Sequence, residues 1–172
     1  LPVTTQELLA IAKAAGSLGV QGEENIAKFT ETVAKLGKVS DRQGDLAATT
    51  LARILTVTRE GVKDVDKFAS VIVALGNDFA ATESEIALVT NEVARGGAQF
   101  NVTSAQAAAL ATTLKSMGIR AEEAGSATTR TFLAMQEAVT KGGSSLQTLS
   151  KITGIAADEL KNKFAKDAFG VF

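Results

Sequence analysis

The sequence predicts an all-α fold, a compact multi-helix bundle of about eight or nine short helices joined by glycine-containing turns. Apolar residues recur at helical spacing in runs that end at glycine, and residues able to cap a helix precede several of these runs. No segment shows the two-residue alternation of a strand. The single proline, Pro2, precedes all the runs and leaves every predicted helix unbroken.

The apolar stripes share one spacing, in which residues three, seven and ten positions after the first are also apolar and a glycine follows. A glycine at that point readily adopts the positive φ that ends a helix, so each stripe predicts one amphipathic helix and Gly96–Gly97 and Gly142–Gly143 are interpreted as turns. The copies are Leu8, Ile11, Ala15, Leu18 with Gly19; Ile26, Phe29, Val33, Leu36 with Gly37; Val65, Phe68, Ile72, Leu75 with Gly76; Ala107, Leu110, Leu114, Met117 with Gly118; and, more loosely, Ile86, Val89, Val93 with Gly96–Gly97.

Helix starts are indicated by capping boxes, in which a hydroxyl accepts from an exposed backbone N–H and a Glu or Gln three residues later reaches back. Further helices are predicted around Ala47–Leu55, Phe132–Val139 and Leu160–Phe164. The boxes are Thr4 with Glu7, Thr82 with Glu85, Thr103 with Gln106, Ser40 with Gln43, and Ser144 with Gln147.

The chain is interpreted as a single helical region, residues 1–172, and as a fragment of a longer protein. The stripe beginning at Ile26 aligns with the stripe beginning at Ala107 at an offset of 81 positions. An internal duplication accounts for this match, and so does the residue spacing that any amphipathic helix ending at a glycine has. A division into subdomains 1–80 and 81–172 therefore stays open.

The amino-acid composition argues against several classes of function. The 18 basic and 19 acidic residues give a net charge of −1 and are scattered, which predicts no direct nucleic-acid binding by this segment. The absence of Cys excludes disulfides and thiolate metal sites, and the absence of His removes the commonest general base. The longest apolar run, Val71–Leu75, is far shorter than the roughly 20 residues of a membrane span.

Carboxylate pairs are the only candidate acid–base groups, and each is predicted to begin a helix, where it offsets the positive end of the helix dipole. Neither Gly37–Ser40, interpreted as a turn, nor Gly125–Ser126 has the context of a phosphate loop or a nucleophile elbow. We therefore predict no enzyme, cofactor or metal, and no catalytic, cofactor-binding or metal-ligating residue. The pairs are Glu23–Glu24, Asp64 with Asp66, Glu83 with Glu85, Glu122–Glu123 and Asp158–Glu159.

Six phenylalanines are most simply interpreted as core anchors, with an aromatic binding surface as the minor alternative. They are Phe29, Phe68, Phe79, Phe100, Phe132 and Phe164.

Over nearly the whole chain, the order of segments resembles the core region of the phage tail tape-measure protein family. The most specific block is Phe29-Thr30-Glu31-Thr32-Val33-Ala34-Lys35-Leu36. Each segment alone is a common helical sequence, and the resemblance rests on their joint order. The other segments are Leu1–Leu8, Gly19–Val20, Ala47–Ala48, Leu51–Leu55, Leu75–Asn77, Thr82–Ile86, Ala94–Gly97, Thr103–Leu110, Met117–Ile119 and Glu122–Ala124.

The resemblance implies a phage or prophage origin and a virion structural protein that acts in tail assembly and sets tail length, with a parent that aids DNA ejection. It implies tail tube protein and tail assembly chaperones as partners, with self-association left open. The location it implies is the tail tube lumen of the virion, and the bacterial host cytoplasm during assembly. It carries over no active-site residues.

Two other functions fit the composition. One is a helical protein–protein interaction adaptor unrelated to phage. The other is a membrane-active helical domain, since amphipathic stripes can open onto a bilayer.

Overall fold

The computed structural model describes residues 4–17, 19–39, 44–61 and 64–172, which form nine α-helices, two short 3₁₀ turns and no strand. This confirms the predicted all-α bundle and its number of helices. The helices are α1 (Thr5–Ser17), α2 (Glu23–Val39), α3 (Gly44–Val57), α4 (Val65–Asp78), α5 (Glu83–Gly97), α6 (Ser104–Ser116), α7 (Ala121–Lys141), α8 (Gly143–Thr153) and α9 (Ala157–Lys166), and the 3₁₀ turns are Ala98–Phe100 and Phe169–Val171.

Helix α5 occupies the middle of the bundle and packs against α3, α4, α6 and α7. Eight of its fifteen residues are buried, more than a helix with one apolar face requires. The buried side chains around it belong to one cluster that extends along the chain from Ile11 to Val171. The division into 1–80 and 81–172 stays a prediction.

Two groups of three helices are arranged alike. In the first group α1, α2 and α3 pack against one another, and in the second α5, α6 and α7 do the same. Helix α4 lies between the groups and contacts members of both, whereas α8 and α9 pack against α7 and each other. The internal duplication stays a prediction, but the order of the elements in both groups is the same.

Three of the five predicted capping boxes are present, those at Thr4, Thr82 and Thr103. Glu7 N donates to Thr4 Oγ1 at 3.2 Å, and Thr4 N donates back to the Glu7 carboxylate at 2.8 Å. The boxes at Thr82 and Thr103 have the same reciprocal pattern. The predicted box at Ser144 with Gln147 is wrong, because α8 starts at Gly143 with Gly142 at its N-cap, which places Ser144 inside the helix. The Ser40–Gln43 box lies outside the described residues.

Glycine ends some of the predicted helices and not others. Gly19 (φ 88°) and Gly118 (φ 80°) follow the ends of α1 and α6, and Gly142 (φ 71°) forms the connection between α7 and α8, with Gly143 (φ 63°) as the first residue of α8. Two predicted helix ends are wrong. Helix α2 continues past Gly37 to Val39, within the predicted turn Gly37–Ser40, whose last residue lies outside the described residues, and α4 continues past Gly76 to Asp78. A glycine inside a helix costs only about 1 kcal/mol relative to alanine, which tertiary packing can outweigh.

The interpretation of Gly96–Gly97 as a turn is also wrong, because both residues belong to the last turn of α5 and are buried. A Cβ added to Gly96 would lie 2.6 Å from the carbonyl oxygen of Gly125 on α7, and one added to Gly125 would lie 2.9 Å from the carbonyl oxygen of Glu92 on α5. Real Cβ atoms do not approach backbone oxygens so closely. The glycines are therefore needed for the contact between the two helix backbones.

Four of the six predicted aromatic anchors are buried: Phe29, Phe68, Phe132 and Phe164. Phe100 is partly buried and stacks on Phe132 with ring centroids 4.9 Å apart. Phe79 is wrong as an anchor, since it follows the end of α4 and is 45% exposed. The last stripe residue of α6, Met117, is 70% exposed because α6 ends one residue before it.

The contact between α5 and α7 predicts opposite effects for glycine substitutions. Gly96→Ala and Gly125→Ala should each lower the free energy of unfolding by about 1 to 3 kcal/mol, because the new methyl group forces the helices apart. Gly16→Ala is the matched control: it lies inside α1 with nothing within 4 Å of an added Cβ. It should raise that free energy by about 0.5 to 1 kcal/mol. Urea denaturation measures all three, and equal effects at the three positions would contradict the close contact.

Candidate interaction surface and polar contacts

All five carboxylate pairs lie at the start of a helix, as predicted. In these pairs the pKa values of Asp66, Glu85 and Glu123 lie below the ordinary carboxyl value, as does that of Glu7. The Thr4 backbone N–H lowers the pKa of Glu7, Lys115 lowers that of Glu85, and Arg120 lowers that of Glu123. A general acid needs a raised pKa. These shifts fit carboxylates that act as anions in caps and ion pairs.

No group of three or more Asp or Glu side chains among the described residues could hold a metal ion. The predictions of no catalytic residue, no metal and no enzymatic activity stay predictions.

One polar contact joins α2 to α4. The buried hydroxyl of Thr32 donates to Asp66 Oδ1, and Lys28 Nζ lies 3.1 Å from Asp66 Oδ2. The Thr32 hydrogen bond, followed by Lys28 and Lys35, lowers the pKa of Asp66 despite some burial. Asp66 therefore has two roles: it offsets the α4 dipole in the first turn and links two helices that are adjacent in the fold.

Two further contacts hold α6. Lys115 Nζ lies 3.0 Å from Glu85 Oε1 on α5, and Glu60 Oε1 accepts from Ser104 N at 3.1 Å. The second contact places a carboxylate from the end of α3 at the start of α6, where the helix dipole favours a negative charge. Sequence reasoning did not find Glu60, because its partner is 44 residues away and no local pattern marks it.

Between α1 and α2 an apolar groove of about 570 Å³ opens at the surface. Its floor and walls are apolar side chains of both helices, and Leu9 is 64% exposed. Glu23 and Glu31 lie at its edge. The apolar lining consists of Leu8, Leu9, Ala12, Ile26 and Ala27.

A second groove, of about 720 Å³, lies between α7 and α8 and is bordered by Phe172. Ile152 on its α8 side is 77% exposed. Contiguous exposed apolar surface of this kind is typical of protein–protein contact. These two grooves are the candidate functional surfaces. Neither groove was predicted. The spacing of apolar residues identifies the apolar face of a helix, but it does not show which of these faces other helices leave uncovered.

The phage-related minor tail protein family model matches residues 1–172, the whole chain. The chain belongs to this family. As a phage minor tail protein it has a structural role in the virion tail, and this membership favours a tail protein over the alternative of an adaptor unrelated to phage. Comparisons with curated proteins and with solved structures returned no significant match. Of the helices described in this minor tail protein, none has the length and apolar character needed to cross a membrane.

The Thr32–Asp66 contact predicts a pH-dependent effect on stability. Thr32→Val keeps the side-chain shape and removes the donor, so it should cost about 1 kcal/mol at neutral pH, a modest value because Asp66 is half exposed. Since folding lowers the pKa of Asp66, the contact stabilises above the ordinary carboxyl pKa and loses its effect as pH falls through the lower folded value.

Urea denaturation from neutral pH to below pH 3.8, the ordinary pKa of Asp66, should show the difference between wild type and Thr32→Val shrinking at the acid end. Thr113→Val is the control, because its exposed hydroxyl bonds only to Ala109 O in its own helix. A difference that is constant with pH would contradict a charged acceptor.

Proposed function

We propose that this chain is a segment of a tape-measure protein, which acts in tail assembly and in setting tail length. The observation that carries the proposal is the match of a tail-protein family over the whole chain, together with an all-helical fold. An α-helix rises by a fixed distance per residue, so the number of residues in a helical chain can determine the length of the tail in ångströms. On this proposal the segment is non-enzymatic.

The fold adds a constraint to this role. All 172 residues as one helix would span about 260 Å at 1.5 Å per residue, whereas a compact domain of this length is only about 40 Å across. Extension requires the buried cluster around α5 to open, which exposes side chains such as Phe29 and Phe132. We propose that the folded form is the state before or during assembly, and that tube polymerisation around the parent stabilises an extended form.

The proposed surroundings follow from the same role. The segment lies in the tail tube lumen of the virion and, before assembly, in the host cytoplasm. Its proposed partners are the tail tube protein and tail assembly chaperones, for which the uncovered apolar surfaces give contact area. A contribution of the parent to DNA ejection belongs to the same proposal.

Tail length after an in-frame deletion of residues 1–172 from the parent gene tests this function. Negative-stain electron microscopy should show tails shorter by about 260 Å if the segment is extended in the tail, and by no more than about 40 Å if it stays folded. A parent gene carrying the segment twice is the matched control and should give correspondingly longer tails. Absent tails would indicate an assembly role without measurement, and full-length infectious tails would contradict the proposal.

A further inference from the structure

The open α1–α2 groove has a counterpart in the second group of helices that is closed. The capping box Thr4–Glu7 aligns with Thr82–Glu85, and the same alignment places Leu8, Leu9 and Ala12 on Ile86, Ala87 and Thr90. The stripe alignment of α2 with α6 places Ile26, Ala27 and Thr30 on Ala107, Ala108 and Ala111. The six counterparts are buried, the most exposed at 7%, whereas none of the six residues in the first group is buried.

The two hairpins differ in the helices that pack on them. Helices α1 and α2 form the first hairpin, and helices α5 and α6 form the second. Helix α3 packs on both members of the first hairpin and α7 on both members of the second, so α3 and α7 are equivalent. The second hairpin receives two helices from outside its own group, α3 on α5 and α4 on both α5 and α6, whereas the first hairpin receives α4 on α2. The end of α4 reaches the first turn of α5, where a Cβ on Gly76 would lie 2.8 Å from the Glu83 side chain. Glu83 corresponds to Thr5 at the edge of the open groove. Among the described helices, none apart from α3 packs on both α1 and α2 in the way that α4 packs on both α5 and α6.

Helix α8 matches the first half of the α4 stripe, since Val65 and Phe68 align with Leu146 and Leu149 whereas Ile72 aligns with Thr153. The 81-position offset that aligns α2 with α6 places Val65, Phe68 and Val71 of α4 on Leu146, Leu149 and Ile152 of α8 without a gap. The α4 residues are buried or partly buried, whereas Ile152 is 77% exposed. The described residues thus include the uncovered α1–α2 groove and, on α8, the mostly exposed apolar side chain of Ile152.

We propose that α8 of one copy of this chain docks in the α1–α2 groove of a second copy, as α4 packs on α5–α6 within the chain. Ile152 enters between Leu9 and Ile26, and the neighbouring Lys151 approaches Glu23 at the groove edge, which supplies opposite charges. Glu31, at the same edge, is already paired with Lys35 at 2.7 Å. The interface is head-to-tail, so a pair of copies keeps one free groove and one free α8, and association can continue into a chain of copies.

Mixing two variants separates this arrangement from a symmetric dimer. Leu9→Glu blocks the groove and leaves α8 intact, whereas Ile152→Glu blocks α8 and leaves the groove intact. Both side chains are mostly exposed, so both variants should retain the helical circular dichroism of the wild type. Sedimentation equilibrium of residues 1–172 should show the wild type growing in mass with concentration and each variant associating at least about tenfold more weakly.

An equimolar mixture of the two variants should form a heterodimer that does not grow further, because it has one intact α8 and one intact groove that fit each other. Met117→Glu is the control, since Met117 is 70% exposed and lines neither groove, and it should associate like the wild type. A wild type that stays monomeric up to millimolar concentration would overturn the proposal. Variants that remain monomers when mixed would also overturn it. The inference does not depend on a role in tail length.

Discussion

The close contact between the backbones of α5 and α7 is the constraint on which the rest of the bundle depends. Gly96 and Gly125 face each other at a separation that leaves no room for a methyl group on either side. Because α7 approaches so closely, α5 is enclosed, and its other faces take α3, α4 and α6. Thr128 and Thr129 of α7 also lie against Gly96, where an added Cβ would be within 3.2 Å of both, so small side chains extend the contact beyond the glycines. Dispersion between atoms this close is individually small and collectively large.

Features of the fold that arise within a few residues could be predicted from the sequence. The boxes at Thr4, Thr82 and Thr103 and the carboxylates at helix starts are local interactions, so the spacing of two residues specifies them. The role of each glycine was harder to predict. Gly118 adopts a positive φ at the end of a helix, whereas Gly96 allows two helix backbones to approach closely. Gly96 lies three residues after Val93 on the apolar stripe of α5, and this position was the available signal. The Thr32–Asp66 and Glu60–Ser104 contacts join residues 34 and 44 positions apart and have no local signature.

Apolar burial, rather than ion pairing, holds the helices of this minor tail protein together. Of the eight ion pairs between described residues, six join positions three or four apart in one segment, and two, Lys28–Asp66 and Lys115–Glu85, join different helices. Exposed pairs of this kind are worth at most about 1 kcal/mol each. Extension of the segment in a tail therefore requires a partner surface that covers the apolar side chains released from the core. The apolar grooves at the surface of the folded segment already offer apolar side chains that such a partner can contact.

The most direct test of the central role of the α5–α7 contact is hydrogen exchange of residues 1–172 followed by mass spectrometry under native conditions. Amides of α5 and of the facing part of α7 should exchange slowest and together, since they open only when the whole bundle unfolds. Amides of α8, whose only buried residue is Leu146, should exchange much faster. If α5 exchanged as fast as α8, or if α5 and α7 opened independently, the contact would not be the one that organises the fold.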